Sequence, residues 1–268
     1  MSTILVNGQP QDTVPATDRS LLYGDGLFET VAFRHGQAPL WDLHWQRFAK
    51  GCDVLGLTCP DPNFVLAQAR QASSGQDMAV VRIQLSRGSG GRAYWPDPDA
   101  QPRLIVQSRP WPADLEQVRS EGLSLCTASL RLATDSPLAG LKHCNRLEQV
   151  LAARECVGKH CDEALLFNAQ GCLVEAIASN LVLDIDGNLV TPETNAGVDG
   201  VGLAWLMARP EIRIETRPVD ADLLASARSI VVINSVAGPR QARSLDGRPL
   251  TFSSRCRALR QLWIDLFW

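Results

Sequence analysis

Ala164-Leu-Leu-Phe-Asn-Ala-Gln-Gly-Cys-Leu-Val-Glu-Ala-Ile-Ala-Ser-Asn-Leu-Val-Leu-Asp-Ile-Asp-Gly-Asn-Leu-Val-Thr-Pro192 is the stretch whose reading decides the fold. Its apolar runs, at 164–168, 172–178, 180–185 and 189–192, are too short for helices. Ala169-Gln-Gly171 and Asp186-Gly-Asn188 supply residues that tolerate the positive φ of tight turns. The stretch therefore reads as a β-meander. A strand is predicted before it, at 123–129, and another after it, at 229–234. Helices are expected at 146–157, 201–208 and 254–267.

The first half reads differently. A strand at 4–7 precedes a hairpin made of 27–33, the turn Arg34-His35-Gly36-Gln37 and a second strand at 38–41. A helix follows with Asp42 as its N-cap. Trp45, Phe48, Cys52 and Leu55 form its core stripe at three- and four-residue steps, so His44, Arg47 and Gly51 fall on another face. After a helix at 64–72, strands at 78–86 and 103–108 flank a glycine-rich loop, Arg87-Gly-Ser-Gly-Gly-Arg-Ala-Tyr94. Arg109-Pro-Trp-Pro-Ala-Asp interrupts both helix and strand, because each proline lacks an amide donor and restricts its predecessor. The domains are thus expected at 1–108 and 119–268, joined by a linker at 109–118, in an α+β or α/β two-domain chain.

The 268 residues are 45% hydrophobic and 21% charged with a formal net charge of −3, which fits a folded globular chain and excludes disorder, collagen and coiled coil as global descriptions. No apolar run reaches the roughly 18 residues of a membrane span, and the opening Met-Ser-Thr-Ile-Leu-Val-Asn lacks the shape of a secretory signal. A cytoplasmic protein without membrane contact is expected. The eight cysteines are scattered with no C-x-x-C pair and read as reduced thiols. The four histidines show no metal-ligand spacing, so no metal is expected. Arginines are dispersed among 29 acids rather than clustered with aromatics, which argues against a nucleic-acid partner. Only Lys50, Lys142 and Lys159 are lysines, and this scarcity isolates any amine placed for chemistry.

Lys142 stands in Ala139-Gly-Leu-Lys-His-Cys-Asn-Arg-Leu-Glu148, just before a predicted helix whose start Asn145 and Glu148 mark with capping-box spacing. The positive end of that helix dipole favours a neutral, nucleophilic amine there; the plain alternative is a surface lysine in a loop. Glu175 interrupts an apolar strand, either facing solvent or buried against a cation such as a pyridinium nitrogen. Gly197-Val-Asp-Gly-Val-Gly202 leads into a helix, so the amides of Val201 and Gly202 could meet a phosphate or simply start that helix. Ser235 adds a hydroxyl directly after an apolar strand. Arg47 could supply charge to the same phosphate or pair with an acid. An amine, an acid, an arginine and two amide clusters are the parts that a pyridoxal phosphate site requires.

Five stretches, taken in order, resemble the motifs of fold-type IV pyridoxal phosphate enzymes: Tyr23-Gly-Asp-Gly-Leu-Phe-Glu-Thr30, His44-Trp-Gln-Arg47, Leu141 to Val150, Val174-Glu175 through Ser179-Asn180-Leu181, and Gly197-Val-Asp-Gly200. The family includes branched-chain and D-amino acid aminotransferases and a lyase branch. Ser86-Arg-Gly-Ser-Gly-Gly-Arg92 with Tyr94, and Lys142-His-Cys-Asn-Arg-Leu-Glu-Gln, look most like that branch, whereas Glu29 does not separate the branches. The resemblance implies pyridoxal 5'-phosphate as cofactor, with Lys142 bound to it covalently and Glu175 on its ring nitrogen. It also implies that Arg47, the amides of Val201 and Gly202, Ser235 and Asn180 hold the cofactor. Asn145 and Arg146 would lie near the cofactor or order the lysine loop, and Arg92 and Tyr94 are the candidates for recognising a small-molecule substrate. The implied architecture is a smaller α/β N-terminal domain, a larger barrel-like C-terminal domain and a homodimer. The implied reaction converts 4-amino-4-deoxychorismate to 4-aminobenzoate and pyruvate, with Lys142 as base and acid. The alternative is transamination of D-amino or branched-chain acids.

Overall fold

The computed structural model describes residues 3–267 and divides the chain into two compact units. One contains the residues up to Trp111 together with Leu141–Asn145. The other contains Pro112–Gly140 and the chain from Arg146 onward.

In the first unit, β1 (Ile4–Val6), β2 (Gln9–Pro10), β3 (Gly26–Arg34), β4 (Met78–Ser86) and β5 (Arg103–Pro110) form an antiparallel sheet in the order β2-β1-β5-β4-β3. Helices α1 (Arg19–Tyr23), α2 (Trp41–Leu55) and α3 (Pro62–Ala72) complete it. Ala79, Val81, Ile83 and Leu85 are buried while Met78, Val80, Arg82 and Gln84 are half-buried, so alternation sets which face meets the core. Phe48 and Cys52 of α2 and Val65 and Ala69 of α3 pack in the same cluster as Val31, Phe33 and Val81. The stripe read from the sequence therefore does face the core. The predicted second hairpin strand at 38–41 does not form. Arg34 and Gln37 close the turn with a pair of backbone hydrogen bonds of 2.9 and 2.8 Å, and α2 begins at Trp41 after Leu40, not Asp42. Pro39 has no amide to extend a ladder past the Arg34–Gln37 bridge, and the chain turns into α2 at Trp41.

In the second unit, α4 (Leu115–Glu121) leads into β6 (Leu123–Leu132), and α5 (Leu147–Gly158) precedes β7 (Glu163–Asn168), β8 (Leu173–Ala176), β9 (Asn180–Ile185) and β10 (Asn188–Thr191). Then come α6 (Val201–Met207), β11 (Ile214–Thr216), α7 (Ala221–Ser226), β12 (Ser229–Asn234), β13 (Gly238–Leu245), β14 (Arg248–Pro249) and α8 (Ser254–Phe267). Eight strands run in the order β11-β10-β9-β12-β13-β6-β7-β8, with β14 on β13.

This order forces curvature. In a flat sheet β8 and β9 would lie five strand spacings apart, about 24 Å. Only Ile177, Ala178 and Ser179 separate them in the chain, and four residue steps span at most about 14 Å. The sheet must curl until its β8 edge returns beside β9, which makes the unit barrel-like. Leu165, Phe167, Leu181, Leu183 and Val232 fill one face. Ala164, Leu166, Val174, Ala152 and Cys156 pack on the other, so all of β7 is buried. Gly238 has φ +67°, and a Cβ there would collide with the indole of Trp263. Gly238→Ala is expected to destabilise the protein by about 2 kcal/mol or more; a urea titration giving an unchanged midpoint would refute this packing constraint.

Candidate active site

In the first unit the Lys142 segment lies on the free edge of β3. The Phe28 amide donates to the Lys142 carbonyl at 2.9 Å, the Cys144 amide donates to the Gly26 carbonyl at 2.9 Å, and Leu27 faces His143 across a β-bridge. Two backbone bonds and a bridge thus fix the lysine's Cα. Its Nζ lies 4.6 Å from the centroid of the Phe28 ring, a cation–π distance. The capping-box reading of Asn145 fails. Its Nδ2 donates to the Gly24 carbonyl at 3.3 Å, while Arg146 is the residue preceding α5 and makes no side-chain cap. Gly24 sits at φ +66°, and the Asn145 amide occupies the space a Cβ would need. The glycine of Tyr23-Gly-Asp-Gly is thereby explained by both conformation and contact.

Arg47 has an acid partner, Glu29, which lies on the same face of β3 as Leu27, Val31 and Phe33. Arg47 Nε donates to Glu29 Oε1 at 2.7 Å and Nη2 donates to Oε2 at 2.6 Å, a bidentate fork. His44 Nδ1 lies 2.7 Å from the same Oε2, with His44 only 1% and Glu29 3% exposed. Burial pushes the Glu29 carboxyl up, but the Arg47 guanidinium, assisted by His44, holds it well below the usual range. Burial pushes His44 down, against the pull of the Glu29 carboxylate, and the Arg47 and Lys142 charges act in the same downward direction. A neutral His44 therefore donates its Nδ1–H to Glu29. Its buried Nε2 has no hydrogen-bond partner.

Arg92 and Tyr94 sit on the loop between β4 and β5. Arg92 and Trp95 exchange backbone hydrogen bonds at 2.9 and 3.0 Å, and the Arg92 guanidinium lies 5.9 Å from the Trp95 ring centroid. Tyr94 is 78% exposed and meets Tyr23 edge-on at 5.6 Å. The loop is held by a residue that sequence reasoning missed: buried Arg19 donates to the carbonyls of Ala93 at 2.9 Å and Tyr94 at 3.3 Å, and to Asp25 at 2.9 Å. Asp25 also receives Arg87 Nε at 2.8 Å, so the two arginines hold its carboxyl below the usual range in spite of burial.

The second unit carries the other candidates. Glu175 is buried, with Oε2 accepting the Val198 amide at 2.9 Å. Asn180 Nδ2 donates to the Val198 carbonyl at 3.0 Å. Val198 is thus held through both its backbone amide and its carbonyl, and Asn180 acts on the 197–202 loop. Close approach demands the glycines there: a Cβ on Gly197 would come within 2.7 Å of the Glu175 carboxylate, and one on Gly200 would collide with the Asn180 side-chain oxygen. Gly200 precedes α6 without a side-chain cap, leaving the amides of Val201 and Gly202 to its first turn. Gly202 lies against the backbone of Asn234, where a Cβ would sit 3.1 Å from the carbonyl carbon. Asn234 Oδ1 accepts the amides of Val236 and Ala237 at 3.1 and 2.8 Å, which fixes the turn bearing Ser235.

The first unit thus assembles Lys142, Phe28, Glu29, His44 and Arg47. The second assembles Glu175, Asn180, Val201, Gly202 and Ser235. A buried acid, an uncapped helix start backed by a second turn, and glycines that let backbone approach closely fit the ring and phosphate of pyridoxal phosphate. Among the described residues, no group of three His, Cys, Asp or Glu is placed to hold a metal ion, and no helix is long and apolar enough to cross a membrane.

The fold and these residues define an enzyme of fold type IV. Residues 26–245 match the family model described as amino-transferase class IV, and the chain belongs to that family. It is 36% identical over 204 residues to an aminodeoxychorismate lyase of Vibrio harveyi, covering 76% of this chain and 74% of the relative. A crystal structure of 4-amino-4-deoxychorismate lyase from Pseudomonas aeruginosa superposes with a TM-score of 0.91 at 35% identity, covering 98% of both chains. A bifunctional aminodeoxychorismate lyase / D-amino acid transaminase of Mycobacterium tuberculosis is 27% identical over 270 residues, covering 92% of this chain and 90% of the relative.

The Glu29 cluster predicts a pH dependence. A group whose folded pKa is depressed stabilises the fold above its unfolded pKa and loses that contribution as pH falls. The melting temperature should decline below pH about 6.5 as His44 protonates in the unfolded chain, and more steeply below about 4.3 through Glu29. Glu29→Gln should flatten the lower limb. Parallel profiles for wild type and variant would contradict the assignment.

Proposed function

We propose that this chain is a pyridoxal phosphate-dependent lyase that converts 4-amino-4-deoxychorismate to 4-aminobenzoate and pyruvate. The observation that carries the reading is the likeness, over nearly the full length at 35% identity, to the Pseudomonas aeruginosa lyase structure. Lys142 would bind the cofactor covalently, Glu175 would pair with its ring nitrogen, and Arg47, the Val201 and Gly202 amides and Ser235 would hold its phosphate. Asn180 supports them through the Val198 carbonyl. When bound, pyridoxal phosphate supplies an electron sink for the pair left by proton removal.

The protein's own part is proton handling. The Lys142 amine removes the proton from the ring carbon that bears nitrogen. The bond between the neighbouring ring carbon and the enolpyruvyl oxygen then breaks, the ring becomes aromatic, and Lys142 returns a proton to the methylene carbon to give pyruvate. Two backbone bonds at the β3 edge fix the lysine's Cα, so its side chain can swing between donor and acceptor positions without carrying the backbone along. Arg92 and Tyr94 are assigned to substrate recognition, a guanidinium suiting a carboxylate. Asn145 and Arg146 order the lysine segment.

The bifunctional relative keeps transamination of D-amino or branched-chain acids as the second reading; accumulation of pyridoxamine phosphate with an amino acid would identify it. We also infer a homodimer. Leu147, Val150, Leu151 and Val157 expose an apolar stripe along α5 that a second copy would cover. A cytoplasmic location agrees with eight free thiols.

The test is 4-aminobenzoate formation by wild type beside Lys142→Ala. Turnover should fall by at least about a thousandfold, the borohydride-trapped cofactor adduct should vanish, and the melting temperature of the cofactor-free protein should stay put. Substantial residual turnover would overturn the assignment.

A further inference from the structure

The three-residue turn Ile177-Ala178-Ser179 joins β8 to β9, which are not ladder partners. A hairpin ladder therefore does not satisfy its backbone groups. Within the turn the Ala176 amide reaches the Ser179 carbonyl at 2.7 Å. The remaining contacts come from three other strands. Glu163 of β7 accepts the Ala178 amide at 2.8 Å and the Ser179 hydroxyl at 3.3 Å. Arg240 of β13 donates through Nη2 to Ser179 Oγ at 2.9 Å and to Glu163 Oε2 at 3.3 Å. Asn234 of β12 donates through Nδ2 to the Ala178 carbonyl at 3.3 Å. Glu163 and Ser179 are buried, and Arg240 is nearly so, with 14% of its side chain exposed.

This turn separates Glu175 from Asn180, the two side chains that hold the Val198 amide and carbonyl and so set the 197–202 loop. A shift of the turn would move both. We propose that Glu163 and Arg240 form a positioning pair that fixes this turn, and through it sets Glu175 and Asn180 for cofactor binding. The proposal rests on the functional reading above. The pair touches none of the reacting atoms.

A buried ion pair adds little net stability over a well-packed apolar pair of similar volume. Replacing both partners should therefore keep the fold, at a modest loss of stability from the Ala178 amide left without its acceptor, while releasing every bond that Glu163 and Arg240 make to the turn. That separates positioning from a merely structural role.

The experiment titrates cofactor-free wild type, Glu163→Leu/Arg240→Met and Glu163→Gln with pyridoxal phosphate, reading the dissociation constant and the absorbance maximum of the bound form. The double variant should bind about tenfold more weakly or worse, with a shifted maximum and a single cooperative melting transition only modestly lowered before cofactor is added. Glu163→Gln keeps one acceptor for the Ala178 amide and should fall between; it also serves if the double variant does not fold. Lys142 is present in every variant, so the spectrum reports its surroundings and not its loss. Unchanged dissociation constants and spectra in variants of a wild type that binds would overturn this inference alone. A wild type that takes up no pyridoxal phosphate would overturn the functional reading, and this inference with it.

Discussion

The three residues between Ala176 and Asn180 are the constraint on which the second unit depends. Because they tie the last strand of the sheet to the third, the sheet cannot lie flat, and its curl brings the ends of β8, β9 and β12 into one neighbourhood. Glu175, Asn180 and Asn234 all stand at those ends. Closure also leaves the turn without a β8–β9 ladder; the Ile177 amide finds the Ala164 carbonyl of β7 at 3.1 Å, and polar side chains from β7, β12 and β13 satisfy the groups of Ala178 and Ser179. A junction with unsatisfied backbone in a buried setting would cost free energy comparable to each lost hydrogen bond. The same geometric demand that makes the unit barrel-like thus imports Glu163, Arg240 and Asn234 to its polar end.

The first unit solves a related problem with a different balance of charge. Glu29 occupies a core-facing position of β3, where an isolated carboxylate would be strongly disfavoured. Arg47 and His44, one helical turn apart on α2, answer it with a fork and a third hydrogen bond. The pairing also holds the guanidinium in one orientation. A long, flexible side chain on an exposed helix face keeps its rotamer entropy, whereas much of that entropy is already lost here.

Much of this was legible in the sequence, and the failures have identifiable causes. The strands at Met78–Ser86 and Ser229–Asn234 and the helix at Ser254–Phe267 are clean periodic patterns and form as predicted. The meander read at 164–192 forms only as two separate hairpins: β7 pairs with β8 and β9 with β10, the latter through Asp186-Gly187 at the positive φ values that its residue types favour, whereas β8 and β9 are not ladder partners because closure of the sheet places β12 beside β9. β13 was missed although it joins β12 to β6: Gly238-Pro-Arg-Gln-Ala-Arg-Ser-Leu245 is too polar to read as a central strand, and several of its polar side chains are bonded to other elements. In the site, Lys142, Glu175 and the glycine loop stood out as residue types in unusual company. Glu29 carried a signal that period-2 reading contains, a carboxylate in the register of Leu27, Val31 and Phe33, and His44 with Arg47 shared a face of α2 beside the core stripe. Arg19, Glu163 and Arg240 offered none, because their structural partners are distant in sequence: Ala93 and Tyr94 for Arg19, Ala178 and Ser179 for Glu163, Ser179 for Arg240.

Lyase and transaminase chemistry begin with the same removal of a proton from the carbon bearing nitrogen. They part only at the second step: loss of a group from the adjacent carbon, or return of the proton to the cofactor. In the proposed mechanism Lys142 and Glu175 would serve the shared step, and no placement of those two alone selects the outcome. Selection belongs to groups that meet the rest of the substrate and hold the breaking carbon–oxygen bond in line with the electron sink. The loop bearing Arg92 and Tyr94 is the segment we assign to that task. Its tip is exposed, yet its backbone is fixed from beneath by Arg19, which ties the Ala93 and Tyr94 carbonyls to Asp25 and hence to Arg87 at the loop's other end. Fixed backbone with exposed side chains is what discrimination requires here: reach toward a ligand, without the ordering cost that a free loop would bring to each binding event.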